Sequence, residues 1–190
     1  MTAVKVGIPR ALIYYQYYPM WQTFFQELGA EVVVSPPTTN VTLARGSSRV
    51  VAETCLPAKV FLGHVLALVK ESDCIFIPVI RSVKEKAYSC AKFLGLPDMT
   101  RAVIPESPPV LEVEIDINRG KRELYLAIYR LGRHFTWSPS KVRRASLAAG
   151  QAHLHYRELM SRRGVTPPEA IARLSGEAGK EPHANPESGL

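Results

Sequence analysis

The sequence predicts an α/β fold: an open, mainly parallel sheet with flanking helices, followed by one long C-terminal helix. Three observations carry that expectation. Short apolar runs at 4–9, 31–35 and 73–80 alternate with stretches of helical period, the pattern of successive β-α units. The run at 73–80, DCIFIPVI, is apolar on both faces from Cys74 onward, as a strand buried on both sides of a parallel sheet requires. Ser138 and Pro139 make a helix start and Gly164 a helix stop on either side of a long proline-free stretch.

Taken in order, residues 4–9 (VKVGIP) form the first, central strand. Tyr14, Tyr15, Tyr17 and Tyr18 crowd a loop ahead of Pro19, and Pro19 opens a helix over 19–28 that Gly29 closes. Trp21, Phe24, Phe25 and Leu28 make its apolar stripe. Residues 31–35 are the second strand, ended by Pro36-Pro37. A loop and short helix fill 38–52. A helix then opens at Thr54-Cys55-Leu56-Pro57 and runs to 70, with Val60, Phe61, His64, Val65 and Leu68 on one face. After the third strand, 81–89 is a polar loop, 90–94 is a helical turn broken by Gly95-Leu96-Pro97-Asp98, and 102–104 is a candidate fourth strand. Residues 111–117 (LEVEIDI) alternate apolar and acidic, as a half-exposed strand does. Residues 118–120 are a turn, and 123–134 is a helix with Leu124, Ile128 and Leu131 inward.

The domain reading is a Rossmann-like lobe over 1–135, a basic C-terminal helix over 136–164 packing on or beside it, and a disordered tail over 165–190. That tail has four prolines and no aromatic residue; one helical turn is expected at 170–174.

Composition narrows the function. The chain has 190 residues, 46% of them hydrophobic and 22% charged, enough for one buried core and unlike a disordered or fibrous chain. Its net charge of +7 is unevenly placed: residues 1–118 are neutral, 119–163 carry +9 and 164–190 carry −2. The basic excess therefore belongs to one segment and implies a local partner or a solvated face. Three cysteines, Cys55, Cys74 and Cys90, include no CxxC pair, so a disulfide framework is not expected and a reducing, cytoplasmic setting is. The first residues lack the pattern of a secretory signal, and no apolar stretch is long enough to span a membrane. GxxxxGK[ST], GxGxxG and GxSxG are all absent, so the sequence offers no site of its own for ATP, dinucleotide or acyl-transfer chemistry.

Ligands of open α/β sheets bind outside the carboxyl ends of the strands. Arg10 with the tyrosines, Cys55, and residues 81–90 fall there. Cys55 stands at a helix start, where free amides and the helix dipole favour thiolate; it is a ligand or nucleophile candidate, or else a small buried residue. Cys90 follows a loop with Lys84 and Lys86 and precedes Lys92, again favouring thiolate, with core packing as the alternative. Cys74, inside a strand, reads as a packing residue. The cysteine spacings match no zinc-ribbon, C2H2 or compact ferredoxin pattern. His64 lies on an apolar helix face and reads as a buried, satisfied histidine or a ligand. His153 and His155 are two apart and do not face the same way. Lys141, Arg143, Arg144, Arg157, Arg162 and Arg163 make the last helix basic, suiting a phosphate backbone, an acidic surface or solvent.

Four segments in order, KVGIPRALIYYQYYPMWQTFFQELGAEVVVSPPT, ETCLPAKVFLGHVLAL, DCIFIPVIRSV and YSCAKFLGLPD, resemble the activase-related family of 2-hydroxyacyl-CoA dehydratases, over about residues 4–175. The resemblance implies a cytoplasmic protein related to the iron–sulfur subunits of those dehydratases, which hold a [4Fe–4S] cluster on cysteines in Rossmann-like lobes. It makes Cys55 and Cys90 cluster ligands or redox thiols, and it places Arg10, Tyr14, Lys59 and His64 around the cofactor. Cys74 stands where such proteins carry an aromatic or aliphatic residue. Family members continue into a second α/β lobe, so the ligand set in this chain is incomplete. A partner chain (an activator ATPase or a dehydratase-like subunit) or a homodimer would complete it.

The function expected on that basis is an iron–sulfur or redox accessory protein that accepts or relays low-potential electrons and is not an autonomous enzyme. The alternatives are a cofactor-free partner-docking module and, third, nucleic-acid binding through 141–163.

Overall fold

The computed structural model describes residues 3–85 and 87–176. Four strands, β1 (Lys5–Ile8), β2 (Glu31–Val34), β3 (Cys74–Ser82) and β4 (Val110–Asp116), form one sheet in the order β2-β1-β3-β4. Every pairing is parallel, the topology that β-α-β crossovers impose. The fold is the α/β arrangement that the sequence predicts. The helices are α1 (Tyr14–Leu28), α2 (Asn40–Ser47), α3 (Leu56–Leu68), α4 (Ala91–Leu94), α5 (Leu96–Val103), α6 (Gly120–Gly132), α7 (Pro139–Arg163) and α8 (Pro167–Leu174).

The two-residue period of β3 divides the core. Phe76 joins Trp21, Phe25, Leu131, Val142 and Tyr156 on the face covered by α1, α6 and α7. Ile75 and Ile77 join Phe61, Leu62, Val65 and Ile104 on the face covered by α3 and α5. Trp21, Phe25 and Phe76 meet edge to face, both pairs with Phe76 at 4.8 Å between centroids, a geometry that adds to their area burial. The long α7 begins with the Ser138 cap and ends at Gly164 in the left-handed region, as its sequence signals require. Part of its charge is spent internally: Lys141 Nζ donates to the Leu28 carbonyl at the end of α1 (3.1 Å), and Arg144 pairs with Glu27.

Four expectations are corrected. First, α1 starts at Tyr14, not at Pro19, so the tyrosines are helical and Pro19 lies inside the helix. Proline has no N–H, so the Tyr15 carbonyl loses its i+4 donor. The Tyr156 hydroxyl replaces it, donating to Tyr15 O at 2.5 Å. Burial pushes the Tyr156 phenol up to about 12, which keeps it a donor. A tertiary hydrogen bond thus does locally what a backbone amide would have done. Second, residues 102–104 are not a strand. Pro97 occupies the first turn of α5, a position that starts helices rather than breaking them, and the place beside β3 is taken by β4. Third, α6 starts at Gly120, within the segment predicted as a turn. Fourth, the segment predicted as tail contains the two-turn α8, longer than the single turn expected. Thr166 and Glu169 form a capping box at its start with Pro167 at N1, and Ala170 and Ile171 are buried. The rest of that prediction, 177–190, lies outside the described residues.

The Pro19–Tyr156 relation can be tested by a mutant cycle. Tyr156→Phe is expected to cost about 1–3 kcal/mol, because it leaves a buried carbonyl unpaired. In a Pro19→Ala background the alanine amide can reach Tyr15 O, and the same substitution should cost clearly less in urea unfolding. Equal costs in the two backgrounds would refute the relation.

Candidate functional site

The chain reverses direction across the sheet between β1 and β3. β2 lies on one side of β1, while β3 and β4 lie on the other. The carboxyl ends of β1 and β3 therefore flank the switch point, where open α/β sheets form their ligand crevice. Pro9 to Ile13 make the turn out of β1 here. Leu12 within it has φ +56°, a conformation that side chains with a Cβ rarely adopt and that persists where the surroundings enforce it.

Arg10 and His64 meet in one buried hydrogen-bond chain. The Arg10 amide donates to Ser35 Oγ (2.8 Å). Ser35 Oγ lies 2.9 Å from His64 Nδ1, and Thr38 Oγ1 lies 2.9 Å from His64 Nε2. His64 has no exposed surface and Ser35 almost none. Burial, and then the Arg10 charge, hold the imidazole below its ordinary pKa of 6.5, so it sits neutral. A neutral ring has one donor and one acceptor nitrogen, and the two hydroxyls match either tautomer. His64 thereby ties the loop after β1, the loop after β2 and the middle of α3 into one unit.

Two glycines bring the Thr38 side of this clamp into place. A Cβ on Gly63 would stand 2.0 Å from the Thr42 carbonyl, and one on Gly46 would stand 1.8 Å from the Lys59 carbonyl. No side chain larger than hydrogen fits at either position, so α2 lies backbone to backbone against α3. Thr39 caps α2 through a capping box with Thr42, which fixes the chain where Thr38 reaches the imidazole.

The other candidates fall around this clamp without joining it. Cys55 is the N-cap of α3 and half-buried; Cys90 is the N-cap of α4 and exposed; neither side chain makes a capping bond. Cys55 precedes His64 by nine residues, roughly 13 Å along the helix at 1.5 Å per residue. The carboxyl end of α3 leads directly into β3, so its start, with Cys55, lies toward the carboxyl edge of the sheet. Cys90 follows β3 at the same edge. Lys59 donates from Nζ to the Ala52 carbonyl (2.7 Å). Tyr14 is buried against Tyr18 (4.5 Å) with the Arg10 guanidinium 6.0 Å from its ring. Burial, and then Tyr18, push its phenol well above the ordinary range. Cys74 packs against the α1–α7 core, and burial pushes its thiol up to about 11, the inert form of cysteine.

A four-iron cluster needs about four protein ligands, usually thiolates. Among the described residues no group of three or more His, Cys, Asp or Glu stands together as a metal-binding set. Cys55 and Cys90 are the two unengaged thiols, and this chain by itself does not fit a complete cluster.

Ser35, Thr38, Gly46 and Leu12 escape the sequence reading, although Ser35 directly follows an apolar strand run, the place where polar residues of α/β sheets gather. Exposed apolar side chains at the same edge also escape it. Val51, Leu56, Val83 and Tyr88 are 69%, 58%, 55% and 66% exposed and belong to the segments that carry Cys55 and Cys90.

The family described as CoA enzyme activase uncharacterised domain matches residues 5–180. No curated protein and no solved structure matches the chain. Among the described residues no helix is long and apolar enough to cross a membrane.

The clamp sets a pH response. As pH falls below 6.5, the ordinary imidazole value, the unfolded chain protonates His64 while the folded chain holds it neutral. Stability is therefore expected to fall with pH until the folded-state value is passed, and to level off below it. His153, also lowered, contributes in the same sense. His64→Gln should be less stable by about 1–3 kcal/mol above that range and should show a shallower loss across it in urea titrations. An unchanged slope in the variant would refute a neutral His64.

Proposed function

The chain belongs to the family of the CoA enzyme activase uncharacterised domain, and from that we propose that it is a non-autonomous accessory lobe of a CoA enzyme activase system. It docks a dehydratase-type subunit or the activator ATPase through the carboxyl edge of its sheet. The observation that carries this reading is the set of apolar side chains, Val51, Leu56, Val83 and Tyr88, left more than half exposed in the segments that carry Cys55 and Cys90. Apolar and aromatic groups gathered at one place on a surface mark interaction sites. The hydrogen-bonded clamp in the middle of α3, the helix that starts with Leu56, supplies a fixed support on that side, which lowers the ordering cost of association.

A second reading rests on the two unengaged thiols at that edge. Cys55 and Cys90 would be half of a thiolate set that a partner lobe, or a second copy of the chain, completes. When bound, an iron–sulfur cluster supplies one-electron transfer at low potential.

One set of experiments separates the two readings. Leu56→Asp with Tyr88→Asp is expected to abolish association with the activator or dehydratase-type subunit in light scattering, while the melting curve stays that of the parent chain. Association at parental strength would refute the docking reading. After anaerobic reconstitution the chain alone should hold no stoichiometric iron. Iron that appears only in the assembly, and is lost in Cys55→Ser with Cys90→Ser, would establish the second reading; iron unchanged by those substitutions would dismiss it.

A further inference from the structure

A cavity of about 240 Å3 lies between the start of α1, the last third of α7 and the start of α8. Its walls are held together at one point, because the buried Tyr156 hydroxyl lies 2.5 Å from the Tyr15 carbonyl and 3.5 Å from the Pro167 carbonyl. The cavity is therefore built on fixed backbone from three elements.

Its lining is mixed in a specific way. Arg157 makes no ion pair and no hydrogen bond among the described residues; on the same helix Arg144 and Arg162 pair with Glu27 and Glu158. His153 stands one turn before Arg157, on the same side of the helix. The Tyr17 ring lies nearly parallel to the imidazole, 5.3 Å away at 26°. The His153 Nδ1 atom is buried and has no hydrogen-bond partner, an unspent polar group of the kind that native structures satisfy with a ligand or water. After burial, the Arg157 charge is what lowers the His153 imidazole, and it opposes the rise of the Tyr17 phenol that burial causes. The guanidinium is thus within electrostatic reach of both rings. Met160 and Pro167 supply an apolar flank.

We propose that this cavity binds a small oxyanion, the carboxylate or phosphate group of a compact metabolite, with Arg157 as its charge partner, the Tyr17–His153 pair as a flat wall, and Met160 and Pro167 against its apolar part. A guanidinium presents a planar fork of donors that matches the two oxygens of either anion. None of Val51, Leu56, Val83, Tyr88, Cys55 and Cys90 lines this cavity, so this inference stands apart from the docking reading.

The test is titration of the full chain with butyrate and, separately, with inorganic phosphate, followed by the imidazole resonances of His153 and by calorimetry. One-site binding is expected, with the His153 signals moving and Arg157→Gln weakening the affinity roughly tenfold or more. Arg144→Gln, on the same helix but outside the cavity, should leave the affinity unchanged. Saturation by butyrate alone identifies a carboxylate site, saturation by phosphate alone a phosphate site, and either supports the proposal. If neither probe moves the His153 signals, or if Arg144→Gln weakens binding as much as Arg157→Gln, the proposal is overturned.

Discussion

The arrangement of the carboxyl edge depends on one buried residue whose two polar atoms are both spoken for. His64 sits in the middle of α3 with no exposed surface, and its ring nitrogens reach Ser35 and Thr38. An imidazole left unpaired in such a place would cost about 1–3 kcal/mol for each buried polar atom without a partner. Satisfying both nitrogens demands that the loop after β2 fold down onto α3 at two points. The first point, Ser35, also receives the Arg10 amide and so fixes the turn out of β1 with its strained Leu12. The second, Thr38, is in place because Gly46 and Gly63 let α2 and α3 touch through their backbones.

This interior gives the edge its character. The imidazole at the centre of the clamp offers nothing to a ligand, because it is buried and both its nitrogens are bonded. Around it stand two cysteines at helix N-cap positions and four exposed apolar side chains. Such a surface is suited to a partner, the reading proposed for this member of the CoA enzyme activase uncharacterised-domain family. The basic segment supports a similar economy. Arg144 pairs with Glu27 and Arg119 with Glu114, both outside that segment, so the +9 of residues 119–163 overstates the charge left free for an outside partner.

Much of the fold was legible because its signals are local. The apolar runs gave the first three strands, the Ser138-Pro139 start and the Gly164 stop gave α7, and the apolar stripe gave the inner face of α1. The errors share a cause. Each involves a proline or a turn, and the first depends on something distant in sequence. Pro19 reads as a helix start until Tyr156 is known to supply the missing donor. Pro97 reads as part of a break, whereas it sits in the first turn of α5. The site was legible in part. His64 was visible as a histidine on an apolar face, but its partners lie 26 and 29 residues away in a loop with no motif. Glycines at 46 and 63 carry no hint, in sequence alone, that they face each other's helices.

The most direct test of this account is the protonation state of His64, read from its imidazole nitrogen resonances in the folded chain as pH is lowered through 6.5, the ordinary imidazole value. A clamped His64 is expected to be still neutral at 6.5, with one protonated and one unprotonated nitrogen, and to take up its second proton only below that value. A ring that titrates near its ordinary value in the folded protein, with both nitrogens becoming equivalent donors, would contradict the clamp and the edge built on it.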